Sequence, residues 1–384
     1  METYCKSGEY EIIRYEPRYK NEVIELLMPL WGPDREKNAA YLDWKHYCNP
    51  YTQDPIIYLS LHRGSVVGVS SHFACCWQAG QPDQKHLCVA GGDAILHPDH
   101  RRHGLHRIQT SMALRELENG AYDFDICLGS NQYSSGSALK LGWSIVGELK
   151  PVSWQSWLRV RQIARRMPLI PRIYHRLYNR SATQEPSVSA IRPFHVLDRN
   201  YNRTNNFSQS GVVLEEKPRP KAMAMLVDRQ GYDGRIRHVR DEQFYAWRYQ
   251  NPLSVYRFLF LEKTELKGFL VLQQAVVDTH SNGALIVDWE ATSVEVFSDL
   301  LEAVIRWGGF SSISIWSMTL AGDMLKVLIK HGFCEAGKRR SSEATLFYSL
   351  IVKPLHSGGD SSMGGRDLLD ISNWDLRPIY SDVY

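Results

Sequence analysis

An internal repeat limits the folds that this chain can adopt. The segment from Tyr41 to Pro50 is echoed by the segment from Phe244 to Pro252, and each contains a Trp followed by a basic residue. An apolar strand and a Gly-centred turn into a second strand follow both segments. Later, Lys140 to Trp143 corresponds to Lys330 to Phe333. Because three landmarks recur in one order, roughly two hundred residues apart, the sequence predicts two copies of one α/β unit.

A short basic turn lies between a predicted strand and a predicted helix of the first copy. The turn consists of Arg101, Arg102, His103 and Gly104, and the apolar residues from Leu105 to Leu117 then recur with helical spacing. The first N–H groups of a helix lack intrahelical partners and lie at the positive end of its dipole. Since glycine also permits close approach to the backbone, the turn predicts a cradle for the pyrophosphate of a nucleotide-like cofactor.

This segment resembles the acyl-CoA loop of the GNAT superfamily of N-acyltransferases. The family pattern is Arg or Gln, two residues, Gly, one residue, and then Gly or Ala. The chain matches it at Arg101 and Gly104 but carries His106 at the last position. The resemblance implies an acyl-CoA co-substrate, with acetyl-CoA as the default, and no metal. It also implies a set of cofactor-binding residues, namely Leu96, Arg101, Arg102, His103, Gly104, Leu105 and His106.

The chain after this helix adds to the resemblance. A strand from Tyr122 to Gly129 is followed by Asn131 and by a short helix that ends at Gly142. This order is similar to the last third of a GNAT domain. The resemblance implies a gap between two parallel strands that admits the pantetheine arm, with the Asn131 amide as a cofactor-binding group. An ordinary cap or turn role for Asn131 remains the alternative.

The resemblance also implies direct attack of an acceptor amine on the thioester. Such a reaction needs a base for the amine and an acid for the departing thiolate. We predict Asp93 as the base, with a pKa raised by burial, and we keep His97 and His72 as further candidates. A plain strand-end role for Asp93 is the alternative. The family's usual acid is a Tyr at the position of Ala138, so Tyr133 or water is expected to replace it.

The second copy differs at the corresponding helix start. The turn before that helix contains neither Gly nor Arg, and Glu290 and Glu295 would repel a pyrophosphate. The following residues Phe297, Leu300 and Val304 belong to a clear apolar helix face. We therefore expect the second copy to keep the scaffold without the cofactor, and either to shape the acceptor pocket or to stabilise the first domain.

The predicted fold class is α/β, with two GNAT-like mixed-sheet domains in tandem. Residues 8–150 form the acyl-CoA-binding domain, 151–189 a basic linker, 190–352 the degenerate domain and 353–384 a C-terminal tail. Residues 154–180 carry seven arginines and no acid. They could form a lid for an anionic acceptor, a peripheral membrane-surface helix or a solvated connector. The apolar residues of the tail could dock back onto a domain.

Composition narrows the class of protein further. A formal charge of +3 is too small to indicate nucleic-acid binding, and the seven cysteines lack zinc-ligand spacing. No apolar run reaches the length of about 18 residues expected of a transmembrane segment, and the N-terminus is no signal peptide. We therefore predict a cytoplasmic protein.

The sequence leaves the substrate and even the function class open. We expect the acceptor to be an amine of a small polar molecule, such as an amino sugar or a nucleotide sugar. A non-catalytic acyl-CoA-binding or regulatory protein is one alternative, favoured by His106 and by the missing Tyr. A Fem-type aminoacyl transferase of cell-wall precursors is another, although Arg101 and Gly104 argue against it, because a donor of the aminoacyl-tRNA type needs no such loop.

Overall fold

The structure, a computed structural model, describes most of the chain and divides it into two compact units. The residues described are 3–7, 9–52, 54–130, 132–156, 194–204, 211–274, 283–335, 348–356 and 361–381. The first unit comprises Met1–Lys150, Pro218–Ser254 and Ser341–Tyr384, and the second comprises Pro151–Lys217 and Val255–Arg340.

The chain contains both helices and strands. The helices are α1 (Lys20–Trp31), α2 (Arg35–His46), α3 (Leu105–Glu118), α4 (Gln132–Lys140), α5 (His195–Thr204), α6 (Pro220–Gln230), α7 (Glu242–Arg248), α8 (Val294–Gly308) and α9 (Gly322–Lys330). The strands are β1 (Thr3–Ser7), β2 (Tyr10–Arg14), β3 (Ile56–His62), β4 (Ser65–Gln78), β5 (Lys85–Leu96), β6 (Phe124–Ser130), β7 (Ser144–Leu149), β8 (Pro151–Gln155), β9 (Val212–Glu215), β10 (Arg237–His238), β11 (Tyr256–Glu262), β12 (Leu266–Gln274), β13 (Gly283–Ala291), β14 (Ser312–Trp316), β15 (Cys334–Glu335), β16 (Tyr348–Pro354), β17 (Ser362–Met363) and β18 (Arg366–Asp367).

The first unit is built on a mixed sheet with helices on both faces. Its strand order is β1-β2-β3-β4-β5-β6-β16-β7, and β10 pairs with part of β4. The alternation of side chains along β3 separates two apolar cores. Ile57 and Leu59 pack with the residues of α1 and α2, whereas Ile56 and Tyr58 pack with those of α3. Neighbouring strands are antiparallel except β5 and β6, which run parallel.

The second unit has a sheet of similar plan, in the order β15-β8-β14-β13-β12-β11-β9. Helix α8 covers it with the apolar face that the sequence predicts, because Phe297, Leu300, Leu301 and Val304 are all fully buried. Strands β13 and β14 run parallel, as β5 and β6 do in the first unit.

The two sheets share a detail that reveals their common plan. In the first, β4 and β5 pair from Gly68 and Leu96 to His72 and Gly91, and β5 uses one extra residue over this span. In the second, β12 and β13 pair from Gly268 and Ala291 to Leu272 and Ile286, again with one extra residue in the second strand. A bulge at one place in both copies agrees with the predicted repeat.

The units differ from the predicted continuous domains. Strand β8, which falls in the predicted linker, lies between β14 and β15, and β16 from the C-terminal part lies between β6 and β7. Residues 218–254 also belong to the first unit. The docking of the tail is confirmed there, since Trp374, Ile379 and Tyr380 are buried. Composition locates linkers but carries no signal for which sheet a strand joins. Most of the basic segment 154–180 lies outside the described residues.

Candidate functional site

Helix α3 begins with an open N-terminus. Its N-cap is Gly104, which has a φ of 73° and provides no side-chain cap. A Cβ built on Gly104 would meet no heavy atom within 4 Å. The backbone N–H groups of residues 102–107 donate no hydrogen bond to any residue that the structure describes. The helix therefore presents unsatisfied donors and the positive end of its dipole to open space.

The basic turn is held against the end of β5. The Nε of Arg101 donates to the carbonyl oxygen of Leu96 at 3.2 Å. The side chains of Arg101, Arg102 and His103 are exposed. Arg102 has a φ of 69°, in the left-handed region that a non-glycine residue seldom adopts. The turn thus stores strain while it displays three basic side chains around the helix start.

The first two residues of α3, Leu105 and His106, differ in the exposure of their side chains. The side chain of Leu105 is buried, so only its backbone N–H can meet a ligand. The side chain of His106 is exposed. The protein around it is nevertheless dense enough for desolvation, followed by the charge of His72, to lower the pKa of His106. An imidazole with a lowered pKa thus occupies the position where the GNAT pattern has a small residue.

A gap opens between β5 and β6 next to this turn. The two strands share one register pair, Val89 with Asp125, after which β5 continues to Leu96 paired with β4 but not with β6. From Asp125 onward, β6 pairs in register with β16 on its other side. The separation has the form of the gap predicted for a pantetheine arm. Asn131 lies outside the described residues, and Tyr133 lies in α4 at a point where the side chains are not described, so the roles of both remain predictions.

Asp93 lies at the bulge of β5 and is tied to two side chains. Its Oδ2 accepts from the Nζ of Lys45 at 2.8 Å, and its Oδ1 accepts from the Nε1 of Trp31 at 3.0 Å. Lys45 is fully buried, with 1% of its side chain exposed. The Nζ of Lys45 also lies 5.2 Å from the ring centre of Phe73. Lys45 is not recognisable as a site residue in the sequence, where its one signal is its place next to the repeated Trp.

The expected rise in the pKa of Asp93 is wrong. Burial acts to raise this pKa, but the charge of Lys45 and the hydrogen bonds from Lys45 and Trp31 outweigh it, so the pKa of Asp93 is lowered. A carboxylate held in this way is a weak proton acceptor near neutral pH. The neighbouring His46 is fully buried, and desolvation followed by the charge of Lys45 lowers its pKa to about 3. His46 is therefore neutral.

On the other face of the sheet, His72 and Asp125 form a second buried pair. The Nε2 of His72 lies 3.3 Å from the Oδ2 of Asp125, and only 5% and 1% of the two side chains are exposed. Within the described part of the chain, the Nδ1 of His72 and both carboxylate oxygens of Asp125 lack a well-formed hydrogen bond. His72 was a secondary candidate in the sequence, whereas Asp125 was not recognised.

The third candidate base, His97, belongs to a different environment. It lies in a group of histidine rings beside the basic turn, with its ring centre 5.7 Å from that of His100. The Nδ1 of His100 is 3.0 Å from the Oη of Tyr10, and His103 packs near the same Tyr. About half of the His97 side chain is exposed (48%). His97 therefore adds a half-exposed imidazole to the surface of the turn.

The described residues contain no cluster of three or more His, Cys, Asp or Glu that could hold a metal ion. Over the same residues, no helix is long and apolar enough to cross a membrane. The site itself combines an open helix start at α3, an extended gap between β5 and β6, and two buried polar pairs on opposite faces of the sheet.

Comparisons with known proteins concern the fold. No protein-family model matches the sequence, and no curated protein sequence matches it either. Among solved structures, a GCN5-related N-acetyltransferase from Anabaena variabilis matches with a TM-score of 0.54 at 12% identity, covering 90% of this chain and 73% of that one. A GCN5-related N-acetyltransferase from Kribbella flavida matches with a TM-score of 0.55 at 12% identity, covering 90% and 72%.

A third structure, a conserved protein of unknown function from Enterococcus faecalis described as a probable N-acyltransferase, matches with a TM-score of 0.52 at 9% identity, covering 90% and 72%. At such identities the likeness concerns the fold alone. It confirms the predicted fold class, an α/β protein with GNAT-like mixed sheets.

Proposed function

Because the chain has the fold of the GCN5-related N-acetyltransferases, we propose that it is an acyl-CoA-dependent N-acyltransferase. The observation that carries the proposal is the open N-terminus of α3 beside the gap between β5 and β6. This combination provides donors for a pyrophosphate and, next to them, an unpaired strand edge along which an extended arm can bind.

The residues of the loop have distinct roles in this proposal. The N–H groups of residues 102–107 bind the pyrophosphate, with the positive charges of Arg101 and Arg102 beside them. Gly104 keeps the approach to the backbone free, since its Cβ position faces open space. Leu96 ends the strand whose backbone polarises the thioester carbonyl. Asp93 is assigned to positioning the bulge through Lys45 and Trp31, because its lowered pKa disfavours the role of base.

The reaction is the attack of an acceptor amine on the thioester carbonyl. Binding both reactants beside the bulge lowers the entropic part of the barrier. We propose acetyl as the acyl group and an amine of a small polar molecule as the acceptor, with amino sugars and nucleotide sugars first in any panel.

Calorimetry of the protein with acetyl-CoA tests this assignment. The Arg101→Glu variant should bind about 10-fold to 100-fold more weakly, because one charge-assisted contact is lost and a repulsion is gained. The matched control is Arg115→Glu, the same charge reversal at an exposed position in the last turn of α3, which should bind like the wild type. Equal affinity of Arg101→Glu and the wild type would place acyl-CoA elsewhere.

A free-thiol assay over the amine panel then tests for turnover. Thiol release with one class of amine supports the transferase and identifies its acceptor class. Tight binding without thiol release for any amine would contradict the transferase and favour the non-catalytic acyl-CoA-binding protein.

A further inference from the structure

The buried pair of His72 and Asp125 destabilises the folded state, and the fold does not need polar residues at these positions. Burying polar groups without well-formed hydrogen bonds disfavours the folded state. Both carboxylate oxygens of Asp125 and the Nδ1 of His72 are in this position, among the residues described. An arrangement of this kind needs an explanation other than packing.

The second copy shows what the scaffold requires at these two places. His72 lies four residues after Gly68 on β4, and Leu272 lies four residues after Gly268 on β12, each just past the bulge, so the two residues correspond. The pair of Val89 and Asp125 corresponds in the same way to the pair of Ala284 and Ile313. Leu272 and Ile313 are both fully buried, with 0% exposure, in the core of the second unit. The same sheet positions are therefore filled well by apolar side chains, so the first unit carries a His and an Asp for another reason.

The pair lies where the gap begins. Val89 and Asp125 are the last residues that join β5 to β6, and His72 pairs in register with Gly91, two residues farther along β5. Gly91 has no side chain to fill the space, and the nearest atom to its Cβ position is the Sγ of Cys127 at 4.0 Å. His72 is thus placed at the inner end of the gap, beside the bulge.

Titratable groups near His72 and Asp125 lie on β6, α3, α2 and β4. Asp125 on β6 is its charged neighbour. His106 on α3 and His46 on α2 lie close enough for the charge of His72 to lower the pKa of each. Cys75 on β4 lies near Asp125, and burial raises the pKa of its thiol. Asp125 is therefore the acidic side chain in contact with His72.

We propose that His72 is the proton donor to the sulfur of CoA when the thioester breaks. This inference rests on the proposed function and fills the role left open by Ala138. The Nε2–H of the imidazolium stays directed at Asp125, and its Nδ1–H supplies the proton. As the C–S bond breaks, the electron pair goes to sulfur, the Nδ1 proton follows, and His72 becomes neutral. The proton that the acceptor nitrogen loses returns to His72 through solvent, so the step balances.

The test uses CoA itself and needs no acceptor. Thiolate absorbance of protein-bound CoA is titrated against the same protein with desulfo-CoA, so that the cysteines of the protein cancel. The wild type should lower the thiol pKa of bound CoA by about one unit, because an imidazolium stabilises the thiolate. In His72→Gln this pKa should return to the value of free CoA or above it.

Two further variants make the outcome decisive. His86→Gln is the matched control, because His86 forms a His–Asp pair with Asp123 at 2.9 Å elsewhere on β5, and it should leave the shift unchanged. Asp125→Asn keeps the shape of the side chain and should reduce the shift in the thiol pKa of bound CoA. It provides an independent test if His72→Gln does not fold. An equal shift in the wild type, His72→Gln and Asp125→Asn overturns the inference, as does the absence of any shift in the wild type. Failure of CoA to bind the wild type would instead contradict the proposed function.

Discussion

The helices that follow the two bulged strands begin in opposite ways. Helix α3 starts at Gly104, without a side-chain cap and with N–H groups facing open space. Helix α8 starts at Ser293, whose Oγ accepts from the N–H of Val296 at 3.4 Å. Glu295 follows in its first turn, and its pKa is lowered mainly by a hydrogen bond with Ser293. The scaffold is the same, but one helix end is open to an anion and the other is closed by its own residues.

A second difference lies inside the sheets. The first unit buries His72 and Asp125 at the positions where the second unit buries Leu272 and Ile313. The two copies therefore indicate that apolar periodicity and the bulge specify the fold. A few polar residues at apolar positions, such as His72 and Asp125, distinguish the proposed site of the first unit. The following predictions test that separation, in order of decreasing effect.

The largest difference in stability should come from substituting the basic residues that follow the repeated tryptophans, Lys45 in the first segment and Arg248 in the second. Lys45 contacts the Asp93 carboxylate, whereas Arg248 donates to the carbonyl oxygens of Ile379 and Ser381. Lys45→Met leaves a charge buried and should lower the free energy of unfolding by about 3–5 kcal/mol. Arg248→Met removes the hydrogen bonds to these two carbonyl oxygens and should cost about 1–3 kcal/mol. Urea denaturation at neutral pH measures both variants.

The pH dependence of the Lys45→Met effect provides its control. Since the folded-state pKa of Asp93 is lowered, its contribution to stability is present above its unfolded pKa, near about 4, and is lost as the pH falls through the lower folded value. The difference between the wild type and Lys45→Met should therefore narrow as the pH falls below neutrality, because the unpaired Asp93 of the variant takes up its proton at a higher pH than the paired Asp93 of the wild type. A difference that stays constant with pH would show that the loss comes from packing alone.

Giving α3 the start of α8 should close the proposed anion site. The double variant Gly104→Ser with His106→Glu places a cap and an acid where Ser293 and Glu295 stand in the second copy. We expect affinity for CoA to fall about 100-fold, equivalent to about 2.7 kcal/mol, through lost donors and repulsion. Calorimetry measures it, and Ser293→Gly with Glu295→His is the converse variant. Unchanged affinity of the first variant would contradict the importance of the helix start.

Replacing His72 and Asp125 by the apolar residues found at the same positions of the second sheet should change stability and activity in opposite directions. His72→Leu with Asp125→Ile replaces a buried ionisable pair by the apolar residues found at the same register. We expect the free energy of unfolding to rise by about 1–3 kcal/mol, while CoA binds as before and acyl transfer falls. Denaturant titration and calorimetry measure these effects. A loss of stability would mean that the pair has a structural role.

The smallest effect should come from the cap of the second copy. Ser293→Ala removes the acceptor for the N–H of Val296 and should cost about 1 kcal/mol of stability. CoA binding should not change, because we assign no ligand to this helix end. The thermal midpoint and calorimetry check these two results, and weaker CoA binding would indicate that the second helix start also takes part.

Local pattern accounts for much of what could be predicted. The repeat, the open start at Gly104 and the apolar face of α8 were all visible in the sequence. Each depends on spacing within one segment, on the conformational freedom of glycine or on helical periodicity. The basic turn and its neighbours could therefore be recognised as a candidate site without any tertiary information.

The remaining features depended on contacts between distant segments. Only the packing of α2 against the sheet brings Lys45 to Asp93, and this contact reverses the expected direction of the pKa shift of Asp93. Only strand pairing brings His72 to Asp125 and places β16 in the first sheet. A polar residue at an inward-facing position of an apolar strand was the available signal for the pair. The sequence by itself determined the repeated units and the open helix start, because these follow from short-range periodicity. The tertiary structure decided which charges meet, because burial and long-range partners set the energy of a charge.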